Sequence, residues 1–294
     1  EYLIGKGRIN SSFQQLVDRS RSVLADIQDK KNTEKEVALT SDHLERLGSS
    51  YNRVVHYCEA PRVGAHAVNR ALDFKKIEDS YLSSPLSVAT LDDFLMPEAL
   101  RRLREFCLES TMYFGYSGNE YVDSQLTSGF NCDLLYQVVE ELKDRFPRVL
   151  GDHYLSNMWI YRYNNQSVGV YPHTDEGAVT FNFWITPTDA NLLPDRGGLI
   201  IYTKEQPYDW DWRYFNTEKY TPDVSREIND FLSDADTTMI PYRENRAVMF
   251  HSNLFHKSDE IHFKDGFKNR RMNITLLFGR RDGDHGEYLA TPES

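Results

Sequence analysis

Cysteine is scarce in this chain, long apolar runs are absent, and basic residues are outnumbered. Cys58, Cys107 and Cys132 are the three cysteines among 294 residues. They stand far apart and form no CxxC pair. Neither a disulfide framework nor a paired-cysteine zinc site is therefore expected, and the chain fits a reducing, cytoplasmic compartment. Each is read as a small buried apolar residue. No segment nears the 18 or more apolar residues of a membrane helix, and mean hydropathy is −0.60, so a helical membrane span is excluded. Lys and Arg number 34 against 45 Asp and Glu, a formal charge of −11. That balance disfavours a broad nucleic-acid-binding face, while a local basic groove stays compatible with it. There is no Gly-rich phosphate loop and no nucleophile elbow with a Ser-His-Asp order. What is plentiful is aromatic: 18 Tyr, 16 Phe and 4 Trp, enough for a sizeable core and too many for a disordered chain. The length fits one large domain or two modest ones. Because the first residue is Glu and not Met, the chain is expected to lack its natural start.

Three regions follow from the patterning. Residues 1–80 read as helical and charged. Phe13, Leu16, Val17, Leu24 and Ile27 fall at helical spacing, and Asp29–Glu36 reads as a polar break. A second helix is predicted over Ser41–Leu47 with Ser41 or Asp42 as N-cap, and a third after Pro61 through Val68, Ala71 and Leu72. Residues 85–150 read as an entry segment. It has a short strand near Pro85–Leu91, a helix opening at Met96-Pro97, and an amphipathic helix over Asp133–Arg145. From Asn157 the pattern turns to strands: Met158–Tyr163, Val179–Ile185, Gly198–Tyr202, Ala247–Phe250 and Met272–Phe278. Short strands without alternating helices point to a β-sandwich, jelly roll or barrel. Lys204–Asp236 interrupts the rhythm. It is long and aromatic, with helix expected around Ser225–Leu232, and a connection of that length is read as a lid. Trp210, Trp212 and Tyr214 suit either a substrate cleft or a lid anchor.

The sharpest local signal is Tyr171-Pro-His173-Thr-Asp175. On an extended strand, residues i and i+2 share a face, so His173 and Asp175 would aim a nitrogen and a carboxylate at one point. A third ligand is available downstream in either of two histidines, His251 or His256. Two histidines and one carboxylate make the facial set used by non-haem Fe(II) oxygenases. Downstream, Met272, Ile274 and Leu276 alternate with Arg271, Asn273 and Thr275. The first set suits packing under helices and the second a polar pocket. That parity favours Arg271 over Arg270 as a guanidinium entering the pocket, where its planar fork can pair with a dicarboxylate.

Taken together, Tyr163, His173-Thr-Asp175, Phe181-Asn-Phe-Trp-Ile-Thr-Pro187, Gly197-Gly198-Leu199, Phe250-His-Ser-Asn-Leu-Phe-His256 and Arg271-Met-Asn-Ile-Thr275 resemble the 2-oxoglutarate- and Fe(II)-dependent dioxygenases. The nearest branch is prolyl-hydroxylase-like. The resemblance runs over 85–281 and implies a double-stranded β-helix, a jelly roll flanked by helices, within a β-rich α+β chain. The oxygenase domain would span 85–294 with the lid-like insertion 204–236, behind a helical N-terminal region that loosely resembles the end of a helical-repeat domain. It further implies that His173, Asp175 and His256 hold Fe(II), and that Arg271 binds the distal carboxylate of 2-oxoglutarate. Tyr163 would bond the same cosubstrate. Asn182 would point into the barrel with Thr180 and Trp184, and Gly197-Gly198 would make the close turn before a strand. O2 is the second cosubstrate, with ascorbate as a reductant. The reaction is hydroxylation of an unactivated C–H bond with release of succinate and CO2, on a small-molecule or peptidyl substrate. A carboxylate at position 175 argues against halogenation.

The sequence departs from the family in two places. His256 and Arg271 stand fifteen residues apart, longer than usual, which keeps Arg270 in play, and the insertion 204–236 exceeds a minimal member. Two other classes remain: a non-catalytic jelly-roll scaffold recruiting a partner through its N-terminal helices, and a zinc hydrolase on a cupin-like barrel, which would not need Arg271. His262 and the Arg280-Arg281 pair are read as solvated. Nothing in the sequence sets an oligomeric state.

Overall fold

The computed structural model describes residues 1–31, 37–117 and 121–281. The helices among them are α1 (Tyr2–Gly5), α2 (Gln14–Lys31), α3 (Ser41–Leu47), α4 (Phe74–Ser83), α5 (Pro97–Glu109), α6 (Asp133–Arg145), α7 (Trp212–Glu218) and α8 (Pro222–Phe231). The strands are β1 (Val88–Leu91), β2 (Gly115–Ser117), β3 (Tyr121–Gln125), β4 (Leu155–Tyr163), β5 (Gln166–Ser167), β6 (Val179–Trp184), β7 (Leu199–Glu205), β8 (Thr237–Ile240), β9 (Ala247–His251), β10 (Leu254–Ser258), β11 (Ile261–His262) and β12 (Met272–Phe278). Seven of them form one antiparallel sheet in the order β1-β9-β6-β12-β4-β3-β2, and three form a second in the order β10-β7-β8. Past β6 the chain passes to the small sheet at β7 and β8, back to the large one at β9, and over again at β10. That alternation fits a jelly roll, which gives most strands an inner and an outer face.

The outer face of the large sheet is covered by helices. Ile160 of β4, Phe183 of β6, Met249 of β9 and Ile274 of β12 are fully buried against Leu103 and Phe106 of α5 and Leu134 and Val138 of α6. The period-2 alternation of the strands meets the 3.6-residue stripe of the helices here, and each fully buried large side chain contributes about 1.5–3 kcal/mol. Pro97 opens α5 in its first turn, where a missing N–H leaves no helical bond unmade. The inner face carries Tyr163, Trp184, Val248 and Phe250, which meet Leu199, Ile201 and Leu254 of the small sheet. A third cluster seats the 204–236 insertion on the barrel. Phe215, Val224, Ile228 and Leu232 close over Phe255 of β10, and Trp210 stacks on Phe215 at 4.2 Å.

Several expectations are corrected. The predicted helix after Pro61 is absent: residues 61–73 are irregular, and the helix starts at Phe74. The extended course is held by α6, whose Gln137 and Glu141 side chains accept from the amides of Val63, Ala67 and Val68. The N-cap of α3 is Thr40, not Ser41 or Asp42, because Thr40 and His43 exchange two hydrogen bonds. Helix α2 runs through Asp29 to Lys31, into the expected polar break, whose residues 32–36 lie outside the described residues. On α2, Val23 is the buried residue while Leu24 is exposed. Cys107 and Cys132 are buried, but Cys58 is only half so; all three are free. Residues 282–294, part of the expected oxygenase domain, also lie outside the described residues. The N-terminal segment forms one helix pair, α2 with α3, and docks on the barrel through Arg8 Nε to the buried Glu109 carboxylate at 2.6 Å.

Candidate active site

The segment around His173 is not a regular strand. It is extended, with a single antiparallel bridge to β10 at His256. The two backbones exchange both hydrogen bonds, His173 N–H to His256 O at 3.0 Å and the reverse at 2.9 Å. Asp175 is held in turn by its amide, which donates to the Ser252 carbonyl at 2.9 Å. One donor atom each from His173, Asp175 and His256 falls within 4.8 Å of the others. The Nε2 of His256 stands 3.5 Å from Asp175 Oδ2, and that of His173 3.9 Å from Oδ1.

Both rings are oriented by their own chain. His173 Nδ1 donates to the Tyr171 carbonyl at 2.8 Å, and His256 Nδ1 to the Leu254 carbonyl at 3.0 Å. With an N–H fixed on Nδ1, each ring turns its Nε2 to the shared point. Burial, then the His256 ring, then Lys219 hold His173 well below its usual pKa, so its ring stays neutral. Asp175 Oδ2 accepts from Thr180 Oγ at 2.7 Å, and Thr180 meets Ser252 Oγ at 2.9 Å. Two imidazoles and one carboxylate converging from one side, already carrying their orienting partners, match what a divalent transition metal takes as a facial ligand set. His251 lies elsewhere, 3.5 Å from Glu205.

Arg271 immediately precedes β12 and points into the same cavity, which Asn182, Tyr163 and the three clustered residues also line. It is 1% exposed. Its Nε donates to the Gly197 carbonyl at 2.7 Å and one Nη to the Gly198 carbonyl at 3.1 Å, while the other Nη is buried with no partner. No carboxylate pairs with it among the described residues. Tyr163, Trp184 and Tyr242 surround the guanidinium at 4.9, 5.5 and 5.9 Å. A buried cation without a counter-charge is costly, and the free N–H can donate to an anion. The glycine pair is required by this cradle: Gly197 has φ +80°, and a Cβ on Gly198 would stand 1.9 Å from the Ile240 carbonyl oxygen. Arg270 faces the other way and is half-buried; its carbonyl accepts from Thr186. The Tyr163 hydroxyl meets Ser258 Oγ at 3.2 Å. Asn182 lines the cavity, and its Oδ1 accepts from Thr275 Oγ at 2.6 Å.

A second cavity of about 200 Å³ forms the mouth above His173 and Asp175. Trp159 and Asn157 of β4 make one wall, and Trp212, Asn216 and Lys219 of the insertion make the other. Burial pushes the Lys219 ammonium down to about 8, opposed by Asp175. Asn216 donates to the Thr174 carbonyl at 2.7 Å, tying α7 to the His173–Asp175 segment. The insertion therefore divides its aromatics: Trp210 and Phe215 seal the outside of the barrel, Trp212 reaches the mouth, and Tyr214 is exposed. Sequence reading turned Thr180 into the barrel without its bond to Asp175, and it missed the part played by Ser252 and Arg281. The expected solvated pair separates: Arg280 is exposed, but Arg281 is buried and donates to Thr174 Oγ at 3.1 Å.

No family model and no curated protein matches the sequence. Solved structures do match. The non-haem alpha-ketoglutarate-dependent carbocyclase SnoK from nogalamycin biosynthesis superposes with a TM-score of 0.51 at 14% identity, over 77% of this chain and 93% of that one. A Pseudomonas putida prolyl-4-hydroxylase gives 0.44 at 13% identity, over 71% and 99%. HygX from Streptomyces hygroscopicus, solved with nickel, 2-oxoglutarate and hygromycin B, gives 0.45 at 9% identity, over 70% and 87%. The likeness to the carbocyclase is one of fold: the two chains share an architecture over most of their lengths.

Proposed function

We propose that the protein is an Fe(II)- and 2-oxoglutarate-dependent dioxygenase, built as a double-stranded β-helix, that hydroxylates an unactivated C–H bond of a peptidyl, amino-acid or small-molecule substrate. The observation that carries this reading is the pairing, in one cavity, of a three-residue metal-ligand set with a buried arginine that lacks an anion. A hydrolase would have use for the first and none for the second. His173, Asp175 and His256 would hold the iron through Nε2, a carboxylate oxygen and Nε2. Bound there, iron with 2-oxoglutarate and O2 supplies the oxidation, with succinate and CO2 as co-products and ascorbate keeping the metal reduced.

The chain's own residues supply position and exclusion of water. Arg271 takes the distal carboxylate on its free N–H, with Gly197 and Gly198 holding the guanidinium in place. Tyr163, with Ser258 behind it, offers a hydroxyl to the same carboxylate. Asn182 walls the cavity, its carbonyl occupied by Thr275. Thr180 and Ser252 keep the Asp175 carboxylate aimed. The insertion serves as a lid over the substrate: Trp212, Asn216 and Lys219 face it, while the Trp210–Phe215 stack anchors the lid to the barrel. Incubation with Fe(II), ascorbate and 2-oxoglutarate should give succinate that disappears with a chelator. Absence of both succinate and measurable 2-oxoglutarate binding by the metal-loaded protein overturns the reading.

A further inference from the structure

On the far side of the large sheet from Arg271 lies a second buried arginine. Arg162 stands on β4 in the outward series with Met158 and Ile160 and is 5% exposed. Its guanidinium lies 3.7 Å from the Phe267 ring centre and 5.7 Å from that of Tyr113. One Nη donates to the Phe267 carbonyl at 2.5 Å, and Nε is buried with no partner. The Glu1 carboxylate, which also lines this side of the sheet, pairs with Arg21. Arg162 itself pairs with no carboxylate among the described residues. Burial lowers its pKa, Tyr113 opposes this, and Arg270 adds a like charge.

This arginine lines a groove between the N-terminal segment and the barrel. The groove holds about 470 Å³, within the usual range for small-molecule sites, and its walls include Leu3, Phe13, Leu16, Val17 and Leu108. An apolar trough that ends on an uncompensated buried cation has the complementarity of an amphiphile with an anionic head. We propose that this groove binds a small amphiphilic carboxylate, its chain along Phe13, Leu16 and Val17 and its head on Arg162. The site is separate from the cavity of Arg271, because the sheet stands between them.

The test uses the full chain and dodecanoate below its micelle concentration, followed by calorimetry, with dodecanol and butyrate as controls. Saturable binding of dodecanoate is expected. Dodecanol lacks the head and butyrate the chain, so each should bind at least about tenfold more weakly, as should dodecanoate to Arg162→Gln. Leu16→Trp fills the trough without touching the arginine and should weaken dodecanoate similarly, which keeps the proposal testable if Arg162→Gln fails to fold. Arg271→Ala should bind dodecanoate as the wild type does. The proposal is overturned by equal binding of dodecanol, by undiminished binding in both Arg162→Gln and Leu16→Trp, by displacement of dodecanoate with excess 2-oxoglutarate, or by association with phospholipid vesicles alone.

Discussion

Arg162 on β4 and Arg271 just before the adjoining strand β12 leave opposite faces of one sheet. Both are buried, both lie against aromatic rings, and both keep an N–H without a partner. Their neighbourhoods differ. Arg271 is gripped by two backbone carbonyls in a cavity lined also by His173, Asp175 and His256, a group that could hold a metal ion. Arg162 is held by one carbonyl at the end of an apolar trough. A buried, unpaired guanidinium therefore states only that an anion is wanted. Whether that anion is a compact dicarboxylate or the head of an amphiphile is set by what surrounds it.

The largest expected effect lies on the inner side. His173→Ala or His256→Ala should reduce iron-dependent succinate formation to background, and Asp175→Gly should weaken iron binding as well. The metal-free melting temperature should stay near that of the wild type, since the helix-covered outer face makes most of the apolar core. Full activity in His256→Ala with loss in His251→Ala would reassign the ligand. Next comes Arg271→Ala. Truncating one partner of a buried charge pair costs about 2–5 kcal/mol, so 2-oxoglutarate affinity should fall roughly tenfold to several thousandfold by equilibrium dialysis. A smaller loss than that of Arg270→Ala would overturn the parity of β12. The insertion offers a third contrast. Phe215→Ala should lower stability by about 3 kcal/mol and Trp212→Ala by much less. Only Trp212→Ala should raise the substrate KM or the ratio of succinate to hydroxylated product; an unchanged KM and ratio would sink the lid. The smallest effects sharpen the comparison of faces: Arg270→Ala and Arg162→Gln should each leave 2-oxoglutarate affinity within about twofold of wild type, the range of a substitution away from the site.

Much of this was legible because two periodicities are strong. The β12 alternation of Met272, Ile274 and Leu276 with Arg271, Asn273 and Thr275 meets two covered faces of different polarity, so parity predicted where each points. Helix α6 and strand β12 appear at their expected bounds, where apolar stripes are uninterrupted. Illegible features depend on partners distant in the chain. The run 61–73 carries apolar residues at helical spacing, yet Gln137 and Glu141 capture its amides. Arg281 looks solvated beside Arg280, yet Thr174 and Gln206 draw it inside. The short strands β2, β5, β8 and β11 take their pairing from neighbours and have little pattern of their own.

The reciprocal bridge between His173 and His256 has a consequence for how the chain folds. These residues belong to segments separated by the whole β6–β9 stretch with its insertion, so the donor set comes into existence only when that large loop has closed. Loop closure of this kind is slow and comes before the contacts that reward it. A metal ion that needs all three donors binds the native chain and not the unfolded one, so it acts as a clasp on the finished topology. At a free concentration one hundred times its dissociation constant it should add about 2.7 kcal/mol to the unfolding free energy. Metal uptake during refolding would then clock the moment at which the two halves of the barrel meet.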